Sequence, residues 1–137
     1  MVGKETHLLI VDDSRTMRKI IRKCLEDNGF THITEAQQGT EGWQKLEDSN
    51  KSGHPIQLIF SDLLMPPLDG IALLKKLRSS AEFKDIPFVL ITAEDESTVL
   101  SAEVNEMLNG YVRKPFSSDE ITNLLSTLAL PMSKRAA

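Results

Sequence analysis

Cysteine is almost missing from this sequence: 137 residues contain one, Cys24. A lone cysteine excludes an intrachain disulfide framework and any zinc site built on cysteine clusters, and it points to a reducing, cytoplasmic setting. Long hydrophobic runs are missing too. None approaches the roughly 20 residues that span a bilayer, so membrane insertion is not expected. Met1–Thr6 is polar and the short apolar stretch behind it ends at Asp12, so no secretory signal is expected. There is no excess of basic residues. Sixteen Lys+Arg against 20 Asp+Glu leave a net charge of -4, unlike the basic footprint of a nucleic-acid-binding domain. Low-complexity tracts and long internal repeats are also absent.

What remains is ordinary for a globular chain, 40% hydrophobic and 26% charged. The length fits one domain. The expected layout is a tail over 1–6, a folded unit over 7–130 and a frayed tail over 131–137.

Apolar periodicity alternates between short runs and helical patterns. His7–Asp12 reads as a buried strand. Met17, Ile20, Ile21, Cys24 and Leu25 then fall at relative positions 0, 3, 4, 7 and 8, one face of a helix that Asn28 and Gly29 end. Thr31–Ala36 is a weaker strand and Thr40–Asp48 a short helix with Trp43 and Leu46 on one face. Asp48–Pro55 reads as a polar loop, a tolerated surface insertion. Ile56–Ser61 is the third strand, and Met65–Gly70 leads into a helix with Ile71, Leu74 and Leu77 inward. Phe88–Thr92 is the fourth strand; Leu100, Val104, Met107 and Leu108 mark the fourth helix; Tyr111–Lys114 is a short fifth strand. Ser117 to Glu120 matches a capping box and opens a helix with Ile121, Leu124, Leu125 and Leu128 inward. Five strand–helix repeats predict an α/β domain with a mostly parallel sheet and right-handed crossovers.

In open parallel sheets, ligands bind outside the carboxyl ends of the strands. Polar residues follow the apolar runs at just those ends: Asp12 and Asp13, Ser61 and Asp62, Thr92, and Lys114. A single strand-end Asp is readily explained as a helix cap; three on one sheet edge are not. If strands one and three are neighbours, Asp12, Asp13 and Asp62 converge, and carboxylates held close repel one another. A hard divalent cation relieves that, and magnesium suits it. Asp62 can carry a phosphoryl group as an aspartyl phosphate. Lys114 then supplies a cation and Thr92 a hydroxyl donor to the phosphoryl oxygens.

These residues resemble a known family, the receiver domains of two-component response regulators, most closely the single-domain chemotaxis (CheY-like) type. The resemblance lies in Val11-Asp12-Asp13 with Thr16-Met17-Arg18, Ser61-Asp62 with Met65-Pro66 and Asp69-Gly70, Ile91-Thr92-Ala93, and Gly110-Tyr111 with Lys114-Pro115-Phe116. It spans about Leu8 to Leu128. It implies a flavodoxin-like fold, a five-stranded parallel sheet doubly wound by five helices in strand order 2-1-3-4-5. It also implies Asp62 as phospho-acceptor, and Mg2+ held by Asp13, Asp62 and the backbone carbonyl of Leu64, with Asp12 acting through water or orienting the site. Lys114 would contact the phosphoryl group, Thr92 would shift toward it, and Tyr111 would turn inward. The bond between Lys114 and Pro115 resembles the family's cis peptide.

The implied role is a phosphorylation-switched signalling module rather than an enzyme. It would take the group from a sensor histidine kinase or histidine phosphotransfer domain and bind a protein target on the fourth helix–fifth strand–fifth helix face, as a monomer, with no nucleic acid. Leu64 departs from the family's usual polar residue and cannot hydrogen-bond an attacking water, whereas Glu94 can. Arg15, Arg18, Lys19, Arg22 and Lys23 read as a basic, solvated helix face able to steer an acidic partner. Two other functions fit the same residues: a phosphate sink or relay without an output partner, and a metal-dependent phosphoester hydrolase. The hydrolase lacks a cap to close over a substrate.

Overall fold

The structure, a computed structural model, describes residues 5–63, 69–93 and 101–128. Strands and helices alternate along it: β1 (Leu8–Val11), α1 (Arg15–Asp27), β2 (Ile33–Ala36), α2 (Gly39–Ser52), β3 (Leu58–Ser61), α3 (Gly70–Arg78), β4 (Phe88–Thr92), α4 (Ala102–Met107), β5 (Gly110–Arg113) and α5 (Ser118–Thr127). The strands form one parallel sheet in the order β2-β1-β3-β4-β5. The alternation and the strand order are those expected. No helix among the described residues is long and apolar enough to cross a membrane.

The three inner strands, β1, β3 and β4, are buried on both faces, and the pleat sends alternate residues to opposite sides. Leu9, Val11, Ile59, Phe88 and Leu90 pack with Leu46 of α2, Leu73, Leu74 and Leu77 of α3 and Val104 of α4. Leu8, Ile10, Leu58, Phe60, Val89 and Ile91 pack with Ile21, Cys24 and Leu25 of α1 and with Ile121 and Leu125 of α5. Helix starts are set by side-chain caps. Ser14 accepts from the Met17 amide, Asp69 from Ala72, Ser101 from Val104 and Ser117 from Glu120. At the far end of α3, the Arg78 guanidinium donates to the carbonyls of Lys84, Ile86 and Met107 and to Asn109 Oδ1, tying α3 to the α4–β5 junction.

Several local expectations are corrected. The segment Asp48–Pro55 is not an inserted loop, because α2 continues to Ser52. Nothing from Asp48 to Ser52 breaks a helix; Asp48 accepts from Gln44 one turn back at 3.0 Å. The helix stops where Gly53 can take the left-handed conformation, at φ 86°. On α1, Ile20 is 44% exposed while Arg18 is buried at 8%. At 100° per residue, Ile20 falls outside the arc centred on Ile21, and Arg18 falls inside it. In α3 Leu73 joins Leu74 and Leu77 in the buried core, and Ile71 packs half-buried against it. The weak second strand is shorter than expected, Ile33–Ala36, and Lys114 stands one residue beyond β5. Leu100, Leu64, Glu94 and the two tails beyond 5 and 128 lie outside the described residues.

Candidate functional site

The strand ladder runs one residue past each strand end and carries the site residues with it. The Asp12 amide donates to the Ala36 carbonyl at 3.1 Å, the Asp62 amide to Val11 at 2.9 Å, and the Lys114 amide to Thr92 at 2.8 Å. Neighbouring strands therefore deliver Asp12, Asp62 and Lys114 to one edge of the sheet. Thr92 ends β4, which lies between the strands that carry Asp62 and Lys114, and it is buried.

Carboxylate oxygens of Asp12, Asp13 and Asp62 all lie within 4.8 Å of one another. Asp12 is 1% exposed, Asp62 is half-buried and Asp13 is exposed. Lys114 Nζ stands between the two inner acids, 3.1 Å from Asp12 Oδ2 and 3.5 Å from Asp62 Oδ2. The remaining oxygens are tied to the backbone. Asp12 Oδ1 accepts from the Ser14 amide at 2.8 Å, and Asp62 Oδ1 from the Leu63 amide at 2.7 Å. The helices that follow are capped by Ser14 and Asp69, so the strand-end acids do not serve as caps.

Burial pushes the Asp62 carboxyl above its ordinary value, and the charge of Asp12 pushes it further. Lys114 and the Leu63 amide pull the other way without cancelling the rise. Three carboxylates face one ammonium, and every donor atom is oxygen. That set fits a hard divalent cation of the magnesium type. Leu64, whose carbonyl the family resemblance adds to the ligands, lies outside the described residues.

Tyr111, on β5 opposite Leu90, is half-buried and packs against the core on the α2–α3–α4 side of the sheet. The peptide bond between Lys114 and Pro115 is cis.

Gly70 sits against the backbone of the acceptor residue. Its amide donates to Leu63 O at 2.8 Å, and a Cβ there would collide with the Asp62 carbonyl oxygen and lie 3.1 Å from Leu63 Cα. The obstacle is backbone, which cannot swing aside. Gly70→Ala is expected to cost about 2 kcal/mol of stability, read from urea denaturation. An unchanged midpoint would mean that the start of α3 shifts freely away from Asp62.

Sequence reasoning missed the second layer behind the acids. The expected solvated basic face of α1 is largely paired: Arg18 and Arg22 both bind Glu35 of β2, and Lys23 binds Asp27. Arg18 Nη1 also donates to the Asp12 carbonyl at 2.7 Å. The available signal was Glu35, a carboxylate inside a strand, which needs a cation nearby. Burial alone would raise Glu35, but the hydrogen bonds from Arg22 and Arg18 outweigh it and hold its carboxyl below the usual range.

A family model described as "Response regulator receiver domain" matches residues 8–126. The chain is 36% identical over 121 residues to the chemotaxis protein CheY1 of Helicobacter pylori, covering 88% of this chain and 94% of that one. It is 33% identical over 110 residues to the CheY homolog of Campylobacter jejuni, covering 80% and 82%. Among solved structures, Vibrio cholerae CheY4 superposes with a TM-score of 0.72 at 26% identity, covering 90% of this chain and 98% of that one. A chain of a CheX–CheY–BeF3–Mg2+ complex from Borrelia burgdorferi gives 0.77 at 23% identity over 89% and 87%, a likeness of fold. With its acid cluster at the carboxyl edge of a 2-1-3-4-5 sheet, this chain belongs to the response regulator receiver domain family.

Proposed function

We propose that this receiver accepts a phosphoryl group on Asp62 from the phosphohistidine of a sensor kinase or histidine phosphotransfer domain, and so switches its binding to a protein target. The observation that carries this reading is the placement of Lys114 Nζ between Asp12 and Asp62 beside the exposed carboxylate of Asp13. An Asp62 carboxylate oxygen attacks phosphorus. The O–P bond forms, the N–P bond breaks, and its electron pair stays on the imidazole nitrogen. Asp12, Asp13 and Asp62 are the residues that would hold Mg2+. When bound there, Mg2+ supplies charge neutralisation for the phosphoryl oxygens.

The chain's own residues do the rest. Asp62 is held by the Leu63 amide at 2.7 Å, which leaves Oδ2, the oxygen nearer Lys114, to react. Lys114 has three N–H groups, so it keeps Asp12 while donating to a new phosphoryl oxygen. The adduct adds about -1.5 to -2 of charge and strong acceptors. Thr92, at the end of the intervening strand, shifts toward the phosphoryl oxygen in that state, and Tyr111 follows it inward. The altered surface is α4, β5 and α5, where a target protein binds. The solved complex from Borrelia burgdorferi pairs a CheY with a CheX.

The test is intact mass after incubation with a small phosphoramidate, with and without Mg2+, followed by borohydride reduction of the acyl phosphate and peptide mapping. One Mg2+-dependent phosphoryl group at Asp62 is expected. No adduct, or an adduct on another residue, overturns the reading.

A further inference from the structure

Arg18 is buried, and its guanidinium spans two elements. Nη1 donates to the Asp12 carbonyl at 2.7 Å and Nε to Glu35 Oε1 at 3.0 Å. Glu35 is held in turn by Arg22, whose Nε reaches Oε2 at 2.6 Å and whose Nη2 reaches the Ile33 carbonyl at 3.1 Å. Burying an ion pair is weak evidence for stability, since an apolar side chain of similar size often serves as well. The contact with Asp12 shows what this one accomplishes.

Every polar atom of Asp12 has a partner: N to Ala36, Oδ1 to Ser14, Oδ2 to Lys114, and O to Arg18. The peptide between Asp12 and Asp13 is planar, so fixing its carbonyl oxygen fixes the plane from which Asp13 departs. Asp12 is buried and Asp13 exposed, yet both carboxylates lie within 4.8 Å of that of Asp62. That convergence depends on how the shared peptide is turned.

We propose that Arg18 is a positioning residue for the cation and phosphoryl site: through the Asp12 carbonyl it holds the Asp12–Asp13 peptide so that both acids face Asp62, with Glu35 and Arg22 as its clamp. The proposal rests on the reading of the acid cluster as an Mg2+ site. A planar fork is required, because one group must reach a carbonyl and a carboxylate at once, and a lysine ammonium does this poorly.

The experiment measures Mg2+ affinity by calorimetry for wild type, Arg18→Met, Arg18→Lys and Glu35→Gln, together with amide hydrogen exchange at Ser14 in the metal-free proteins. Arg18→Met is expected to weaken Mg2+ by about 10-fold, the low end for removing a group that orients a metal ligand. Arg18→Lys and Glu35→Gln are expected to lose affinity to a smaller degree. The Ser14 amide, which donates to Asp12 Oδ1, should exchange faster in all three. Leu25→Ala, a core change on the same helix without contact to Asp12, separates orientation from stability: it should lower the unfolding temperature and leave Mg2+ affinity unchanged. If Arg18→Met does not fold, Glu35→Gln carries the same comparison. Affinity within about two-fold of wild type in the folded variants overturns the proposal, as does a wild type that binds no Mg2+. A wild type that binds Mg2+ but accepts no phosphoryl group defeats the functional reading and leaves the role of Arg18 to be decided by the affinities.

Discussion

Asp62→Asn is expected to abolish phosphoryl addition while making the metal-free protein more stable. The two effects have one origin. The Asp62 carboxyl is raised by burial and then by the charge of Asp12, so its ionised form is disfavoured in the folded state. A raised folded pKa means that the native state binds this proton more tightly than the unfolded chain does. The stability linked to Asp62 is therefore greatest below the ordinary carboxylate range and is lost as pH rises through the folded value. An amide at the same position carries no such cost. The unfolding temperature of Asp62→Asn should exceed that of wild type by a few degrees at neutral pH, and the gap should close as both are acidified. Added Mg2+ should narrow it from the other side, because a ligand stabilises in proportion to its affinity for the native state and the variant has lost one of three carboxylates. Thermal unfolding at several pH values, with and without Mg2+, reads all of this. Equal unfolding temperatures at neutral pH without metal would show that the charges at this edge do not repel appreciably.

Lys114→Met should act in the opposite sense on stability. Lys114 Nζ is 3.1 Å from Asp12 and 3.5 Å from Asp62, with its side chain 17% exposed. Methionine keeps the apolar stem but leaves two inner carboxylates facing each other with no cation between them. Removing one partner of a buried pair strands the other charge. The metal-free protein should lose about 3 kcal/mol, the low end of that effect because this edge keeps some contact with water. Acid should restore part of the loss as the carboxylates protonate, and Mg2+ should restore part at neutral pH. Phosphoryl acceptance at saturating Mg2+ should slow by about 100-fold, the size of effect seen when one charge-stabilising donor is removed. Urea denaturation with and without Mg2+ and the rate of mass gain with a phosphoramidate measure the two. If stability and rate both stayed at the wild-type level, Lys114 would be a bystander, and the placement of Nζ would no longer support the functional reading.

Much of the site is legible in the sequence. Asp12, Asp13, Asp62, Thr92 and Lys114 each follow or end a short apolar run, and a parallel sheet brings such positions to one edge. What the run itself could not specify was the depth of each residue. Asp12 and Asp13 are neighbours in sequence, yet one is buried and the other exposed, because the ladder to β2 captures Asp12 and releases Asp13.

The sequence by itself determined the alternation of strands and helices, since apolar spacing reports which residues must leave water. It also marked the start of α5, since the Ser117 cap acts within a few residues of itself. Tertiary structure decided what depends on distant partners. Periodicity placed Ile20 in the buried stripe and Arg18 in the solvated one; the flank of α1 that meets β2 is set by Glu35, and the assignments exchanged. The segment Asp48 to Ser52 carries no apolar signal, yet it remains helical because no residue before Gly53 releases the chain from a helix already anchored by Trp43 and Leu46. The pairing of β1 with both β2 and β3 likewise joins residues far apart in the chain. The pairing with β3 brings Asp62 to Asp12 and Asp13 and makes one site of them, and no local pattern encodes it.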